Sequence, residues 1–222
     1  MTSSEQSEFL RVSGLTVSTG MAVPDFDLAT PLNLLYTGRE ASATTTMLTI
    51  AGRMKPKAGT VSLVADGEEY SRPRDIARRT ALAGVTDIDG LDRNVSVASY
   101  VREVSAWTKP WYRSTPRDIA NIPEWAHICE LFDLDLDPAQ HVGKLNPTHR
   151  FVLRVALAVL ARPAPALVVI DDIDQVRSLE IRSELIEQLR ALAQVAPVLV
   201  ASTNQDNQAQ FDTVISLMGT EA

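Results

Sequence analysis

Residues 166–170, Ala-Leu-Val-Val-Ile, are apolar without a break and run straight into the acidic pair Asp171-Asp172. A strand with one face in water alternates apolar and polar residues. An unbroken run this short fits a strand covered on both faces, and such sheets are built mostly from parallel strands joined through helices. The surrounding chain meets that demand. Residues 32–36 and 80–85 are short apolar runs, 198–201 and 213–217 read as two more buried strands, and 59–65 is a strand ending at a turn, Asp66-Gly67. Residues 9–17 alternate loosely, as an edge strand would, and 22–29 continue that character with Pro24 and Asp25 as breakers. Between these lie helical patterns: 45–52, closed by Gly52; 150–162, with Phe151, Val152, Val155, Ala156, Val159 and Leu160 at spacings of three and four; and 179–195, with Leu185, Ile186, Leu189 and Leu192 on one side. Residues 96–136 have helical periodicity punctuated by Pro110, Pro116 and Pro123, which predicts a helical insertion. The fold class is therefore α/β, with a mostly parallel sheet flanked by helices.

A chain of 222 residues can bury a substantial core as one domain with a small subdomain. A formal charge of −7 argues against nucleic acid as a partner, because phosphate contacts need clustered Lys and Arg. The lone Cys129 excludes an intramolecular disulfide and a Cys-rich zinc site, and reads as a small buried hydrophobe. His127, His141 and His149 have no metal-site spacing and read as surface or capping residues. The acidic stretch 133–137 lacks the glycine and final glutamate of a calcium loop. No apolar run approaches the ~20 residues that span a bilayer, and residues 1–8 lack a basic and an apolar export region, so a cytoplasmic location is expected.

Gly38-Arg39-Glu40-Ala41-Ser42-Ala43-Thr44-Thr45 has the length and position of a phosphate-binding loop, G-x-x-x-x-G-K-[ST], between a strand and a helix. In this frame Ala43 replaces the second glycine and Thr44 the lysine. A turn followed by a helix cap rich in Ser and Thr describes the same residues equally well. Downstream, Ala51-Gly52-Arg53-Met54-Lys55-Pro56-Lys57-Ala58-Gly59-Thr60-Val61 resembles the A-G-x-x-x-P-x-x-G-x-V that follows this loop in ABC-type ATPase domains. Arg154-Val155-Ala156-Leu157-Ala158 resembles that family's helix after the signature motif, and Leu167 to Asp172 aligns with its Walker B strand. The order and spacing of these pieces, over about residues 9–217, resemble a whole ABC-type ATPase domain. The resemblance implies the P-loop NTPase fold of that family as a single domain over 1–222. Its core would be 9–95 and 150–222, with an N-terminal antiparallel β subdomain, and 96–149 would be a helical subdomain. It implies ATP and Mg²⁺ as cofactors, with Gly38, Ser42, Ala43, Thr44, Thr45 and Thr46 around the phosphates. Thr45 and Asp171 would hold the metal, Asp172 would be the general base, and Asn204 would replace the switch histidine.

The departures from the family pattern concern catalysis. A lysine contact at 4 Å is worth about 4 kcal/mol at an effective dielectric near 20, on the order of a thousandfold in affinity. Arg39 and Lys55 are the candidate substitutes. Asp172 is one methylene shorter than the usual glutamate, a misplacement of about 1 Å that costs roughly a hundredfold in rate. The segment Ile173-Asp174-Gln175-Val176-Arg177-Ser178 lacks the family's D-loop residues. Gly84, Val85 and Thr86 stand where a glutamine is expected, and Ser18 and Thr19 where an adenine-stacking aromatic is expected. The signature motif is replaced by 145–149 or by the same stretch shifted by two, so that Thr148 takes the serine position; neither register keeps the glycine pair. Asn146-Pro147-Thr148 reads better as a helix start.

In the family, two such domains dimerise head to tail, and a multi-span membrane protein docks on the helical subdomain. The expected partners are thus a membrane protein and a second ABC-type ATPase, as homodimer or heterodimer, at the inner face of the cell membrane. The chain resembles degenerate small cassette proteins of high-GC Gram-positive bacteria. Trp107 to Arg113, two tryptophans and a tyrosine flanked by basic residues, suits an interface hot spot or the helical subdomain's own core. Three roles stay open: a docking or regulatory subunit without turnover, a slow ATPase energising transport, and a switch that binds nucleotide without hydrolysing it.

Overall fold

The structure, a computed structural model, describes residues 8–38, 42–176 and 178–218. Its strands form two sheets. β1 (Leu10–Thr16), β2 (Phe26–Leu28), β4 (Ala58–Ala65) and β5 (Glu68–Tyr70) make an antiparallel sheet in the order β2-β1-β4-β5. β3 (Leu32–Tyr36), β6 (Thr80–Ala83), β7 (Leu167–Ile170), β8 (Val198–Ser202) and β9 (Thr213–Ser216) make a parallel sheet in the order β6-β7-β8-β3-β9. The helices are α1 (Ala43–Ile50), α2 (Pro73–Ala77), α3 (Val97–Thr108), α4 (Pro123–Phe132), α5 (Pro147–Ala161) and α6 (Leu179–Ala193).

The run that opens the sequence argument becomes β7, and its alternation is divided between two cores. Val168 and Ile170 join the helices α3 to α6, while Leu167 and Val169 join α1 and the antiparallel sheet. β8 is divided in the same way, Val198 and Val200 against Leu199 and Ala201. All four residues of β7 are buried, so neither face tolerates a polar side chain.

Several expectations need correction. β1 is an interior strand, hydrogen-bonded to β2 on one side and β4 on the other. Its loose alternation comes from one wet face of the sheet; it has no free edge. β9 is the edge of the parallel sheet and alternates half-buried with exposed residues, so it is not a buried strand. β5 and α2, three and five residues long, carry too little pattern to be legible in sequence. α1 starts two residues earlier than its apolar pattern, because its first turn is Ala-Thr-Thr. α5 starts at Pro147, with Asn146 as its cap: the Asn146 carboxamide oxygen accepts the His149 backbone N–H at 2.7 Å, as the Asn-Pro pair predicts. Cys129 is half-buried; burial first, then the charge of Asp135, pushes its thiol up to about 11, so it stays protonated.

Candidate functional site

The carboxyl ends of β3, β7 and β8 face one another across the top of the parallel sheet, where ligand crevices form in open α/β sheets. Gly38 follows β3 with φ +56°, a left-handed conformation that favours glycine, and a Cβ there would require the Met218 side chain to move. Arg39, a candidate substitute charge, lies outside the described residues, as does Arg177 of the D-loop comparison. The chain re-enters at Ser42, the N-cap of α1. Its hydroxyl makes no capping bond and instead meets the Thr19 hydroxyl at 2.7 Å. The loop at residues 17–20 is therefore tied to the foot of α1 through Thr19, which stands where an aromatic was expected. The Ser42 carbonyl takes the backbone N–H of Thr46 at 2.9 Å and its hydroxyl at 3.0 Å; Thr49 bonds back to Thr45 in the same way. Among the described residues, no side chain caps the first backbone N–H groups of α1, an arrangement that favours an anion.

α1 also decides which threonine meets the acidic strand end. The Thr44 hydroxyl donates to Asp171 Oδ2 at 2.7 Å, across the intervening strand β8. The sequence frame pairs Thr45 with Asp171; the residue brought there is Thr44. One residue turns a helix by about 100°, so a one-place shift of frame exchanges the side chain that faces the strand. Asp171 is buried, and burial outweighs the Thr44 hydrogen bond, raising its carboxyl above the ordinary range. Its backbone carbonyl lies so close to Gly84 that a Cβ on residue 84 would come within 1.9 Å of it, and Gly84 has φ +90°.

Asp172 follows in the left-handed region, φ 53° and ψ 67°. Burial, then the Asp174 charge, raises its pKa; the nearby Asp174 backbone N–H favours the charged form but does not prevail. Asn204 is occupied: its side-chain amide donates to Asp174 Oδ1 at 2.9 Å. Asp174 also accepts from Ser202 Oγ, from the Thr203 backbone N–H and from Thr203 Oγ1, and it pairs with Arg182 at 3.1 Å. Burial works to raise the Asp174 carboxyl; the hydrogen bonds from residues 202–204 together outweigh it and hold it below the ordinary carboxylate range. Sequence reasoning did not single out Asp174 as a hub, since apart from Arg182 its partners lie some thirty residues away on β8 and the loop after it.

A second cluster was equally hidden. Arg154, on α5, forms an ion pair with Asp89 and donates to Gln175 Oε1 at 2.6 Å. Gln175 Nε2 donates to the Gly84 carbonyl at 2.8 Å, and the Gly84 N–H donates to Asp89 at 2.8 Å. No glutamine follows β6 in sequence, but the structure brings Gln175 against that loop from the other side. The cluster walls a cavity of about 290 Å³ that Arg93 and Arg150 also line.

This arrangement, a five-stranded parallel sheet with an antiparallel sheet on one side and helices on the other, has solved counterparts. An ABC transporter ATP-binding protein from Pyrococcus furiosus superposes with a TM-score of 0.68 at 18% identity, covering 95% of this chain and 98% of that one. The dimeric bacterial ABC transporter cassette MJ0796 superposes with a TM-score of 0.66 at 14% identity, covering 94% of each chain. The fold is that of an ABC-transporter ATP-binding cassette. A ribose/galactose/methyl galactoside import ATP-binding protein of Rhizobium meliloti (strain 1021) is 30% identical over 142 residues, 62% of this chain and 26% of that protein. The chain thus spans about a quarter of the length of the curated relative it matches. No family model matches the chain. Among the described residues, no helix is long and apolar enough to cross a membrane.

Proposed function

We propose that the chain is an ABC-type cassette subunit that docks to a membrane protein or a sister ATPase and turns over ATP slowly or not at all. The observation that carries this reading is the chemistry of the α1 end that faces Asp171: Ala43, Thr44 and Thr45 present methyl and hydroxyl groups and no cation. With Thr44 as the hydroxyl beside the acidic strand, the phosphate-loop frame moves by one residue. Ala43 then stands at the lysine position and Ser42 at the second glycine.

The residues present fit part of an ATP–Mg²⁺ site. The Thr44 hydroxyl and the Asp171 carboxylate are hard oxygen donors suited to Mg²⁺, and the uncapped N–H groups of α1 suit phosphate. Bound Mg²⁺ would supply charge neutralisation on the phosphates. The chain's own contribution stops short of turnover: Asp172 is one methylene shorter than the usual glutamate, and the Asn204 amide is engaged by Asp174. In this reading 1–222 acts as one cassette, with 9–95 and 150–222 as the nucleotide-facing part and 96–149 as the helical part that meets a multi-span membrane protein. A second ABC-type ATPase domain, identical or different, completes the pair, and the cassette sits at the inner face of the cell membrane. The surviving Thr44–Asp171 pair favours the second reading, a slow ATPase that energises transport.

Calorimetric titration of the purified, nucleotide-free chain with ATP and Mg²⁺ decides between them. The expected result is no binding below millimolar ATP. Ala43→Lys is expected to tighten binding by up to about a thousandfold. Thr44→Lys should give no such gain, because it removes the hydroxyl that holds Asp171. Micromolar binding by the unaltered chain, with ATP consumed, would overturn the docking reading in favour of the slow ATPase.

A further inference from the structure

We propose that the turn after α3 is a lipid-contact tip, which lays Trp107, Trp111 and Tyr112 into the headgroup layer of an anionic membrane. α3 buries Val97, Val101 and Ser105, so its inward stripe ends before Trp107, which is 78% exposed. The helix stops at Thr108, and the Arg113 backbone N–H closes a turn onto the Pro110 carbonyl at 2.9 Å. The two central positions of that turn are Trp111 and Tyr112, 95% and 69% exposed, with their rings edge to face at 6.0 Å. A soluble surface gains nothing from three large aromatic side chains held in water, two of them at the apex of a turn. The core reading of these aromatics is ruled out by their exposure; among the tryptophans only Trp125 is buried.

The charge around the tip names the occupant. Residues 104–117 carry Lys109, Arg113 and Arg117 and no acid, in a chain whose net charge is −7. The flanking acids are Glu103 and Asp118. Electrostatic screening over ~8 Å at physiological ionic strength lets a local basic patch act against the global sign. A protein hot spot is a side chain that fills a partner's pocket inside a ring of contacts that exclude water. An exposed turn with an indole and a phenol at its central positions and basic residues flanking them in sequence matches instead the boundary of a bilayer. There Trp and Tyr place their polar atoms among the headgroups, and Lys and Arg meet anionic lipid. The contact needs neither ATP nor a partner protein, so it goes beyond the docking role proposed above.

The test is sedimentation of the full chain with protein-free vesicles of phosphatidylcholine, with and without phosphatidylserine, read alongside tryptophan emission. Binding to the phosphatidylserine vesicles with a blue shift of the exposed tryptophans is expected, weakening with added salt. Trp111→Ala/Tyr112→Ala should lower the partition coefficient at least tenfold. Lys109→Gln and Arg113→Gln should each lower it about fivefold. Trp111, Tyr112 and Arg113 are exposed and Lys109 is half-buried, and unchanged far-UV circular dichroism reports that each variant is folded. Absence of binding to either vesicle, or binding that survives the Trp111→Ala/Tyr112→Ala change, overturns the proposal and returns the patch to a protein partner.

Discussion

Asp174 gathers the side chain or backbone donors of Ser202, Thr203, Asn204 and Arg182 around one largely buried carboxylate. Removing that charge strands Arg182, whose Nε already has no partner among the described residues. Asp174→Asn should therefore destabilise the protein by roughly 3–5 kcal/mol at neutral pH, the range for breaking a buried pair from one side. The pH dependence has a definite sign. The folded-state pKa of Asp174 lies below its ordinary value, so its stabilisation is present above about pH 4 and is lost as pH falls through the lower folded value. Denaturant midpoints of the two proteins should thus differ most near neutrality and converge in acid; a gap that grows on acidification would refute the assignment. Asp171 and Asp172 act in the opposite sense. Burial raises both, so each favours the folded state more as pH falls through its raised value. None of this was visible at Asp174 in the sequence, where it is one acid among several in a short loop.

At the scale of elements, α5 and the loop after β6 are joined by one guanidinium. Arg154 reaches Asp89 and Gln175 together, and both of those reach Gly84. Arg154→Met keeps an apolar stem of similar length but leaves Asp89 without its cation. The expected cost is about 3 kcal/mol, the low end for a buried pair, because Asp89 retains 20% exposure. Asp89→Asn should cost less, since its amide oxygen can still accept the Gly84 N–H. Urea unfolding at constant m-value checks both; since each variant keeps the Asp89–Gly84 bond, negligible costs in both would mean that this bond rather than the ion pair holds the loop. Helix and strand positions were largely legible: the apolar spacing of α5 and α6 and the runs of β3, β7 and β8 all fall where expected. The misread elements were those whose status depends on neighbours. An interior β1 and an edge β9 differ in what lies beside them, and the local alternation of a strand does not record that.

For the molecule as a whole, the parallel sheet is the shared wall of two cores. Leu167, Val169 and Leu199 face one; Val168, Ile170 and Val200 face the other. Neither core can open without exposing the other's wall to water, so unfolding should be a single cooperative event. Trp125 belongs to the helical core, whereas backbone dichroism reports both. The two signals should give the same urea midpoint, and separated midpoints would show that the helices unfold on their own.

The sequence by itself determined the α/β class and the order of the longer strands and helices, because the periods of burial, near 2 and 3.6, are written locally. It also determined that the phosphate loop lacks a lysine in either frame, since Ala43 and Thr44 are both uncharged. Which threonine meets Asp171 was decided only in three dimensions, by how the start of α1 is rotated over β8. The same holds for Gln175 beneath Gly84 and for Asn204 on Asp174. Hydrogen bonds between residues 30 to 90 apart depend on where strands end in space, and no local pattern of side chains encodes that position.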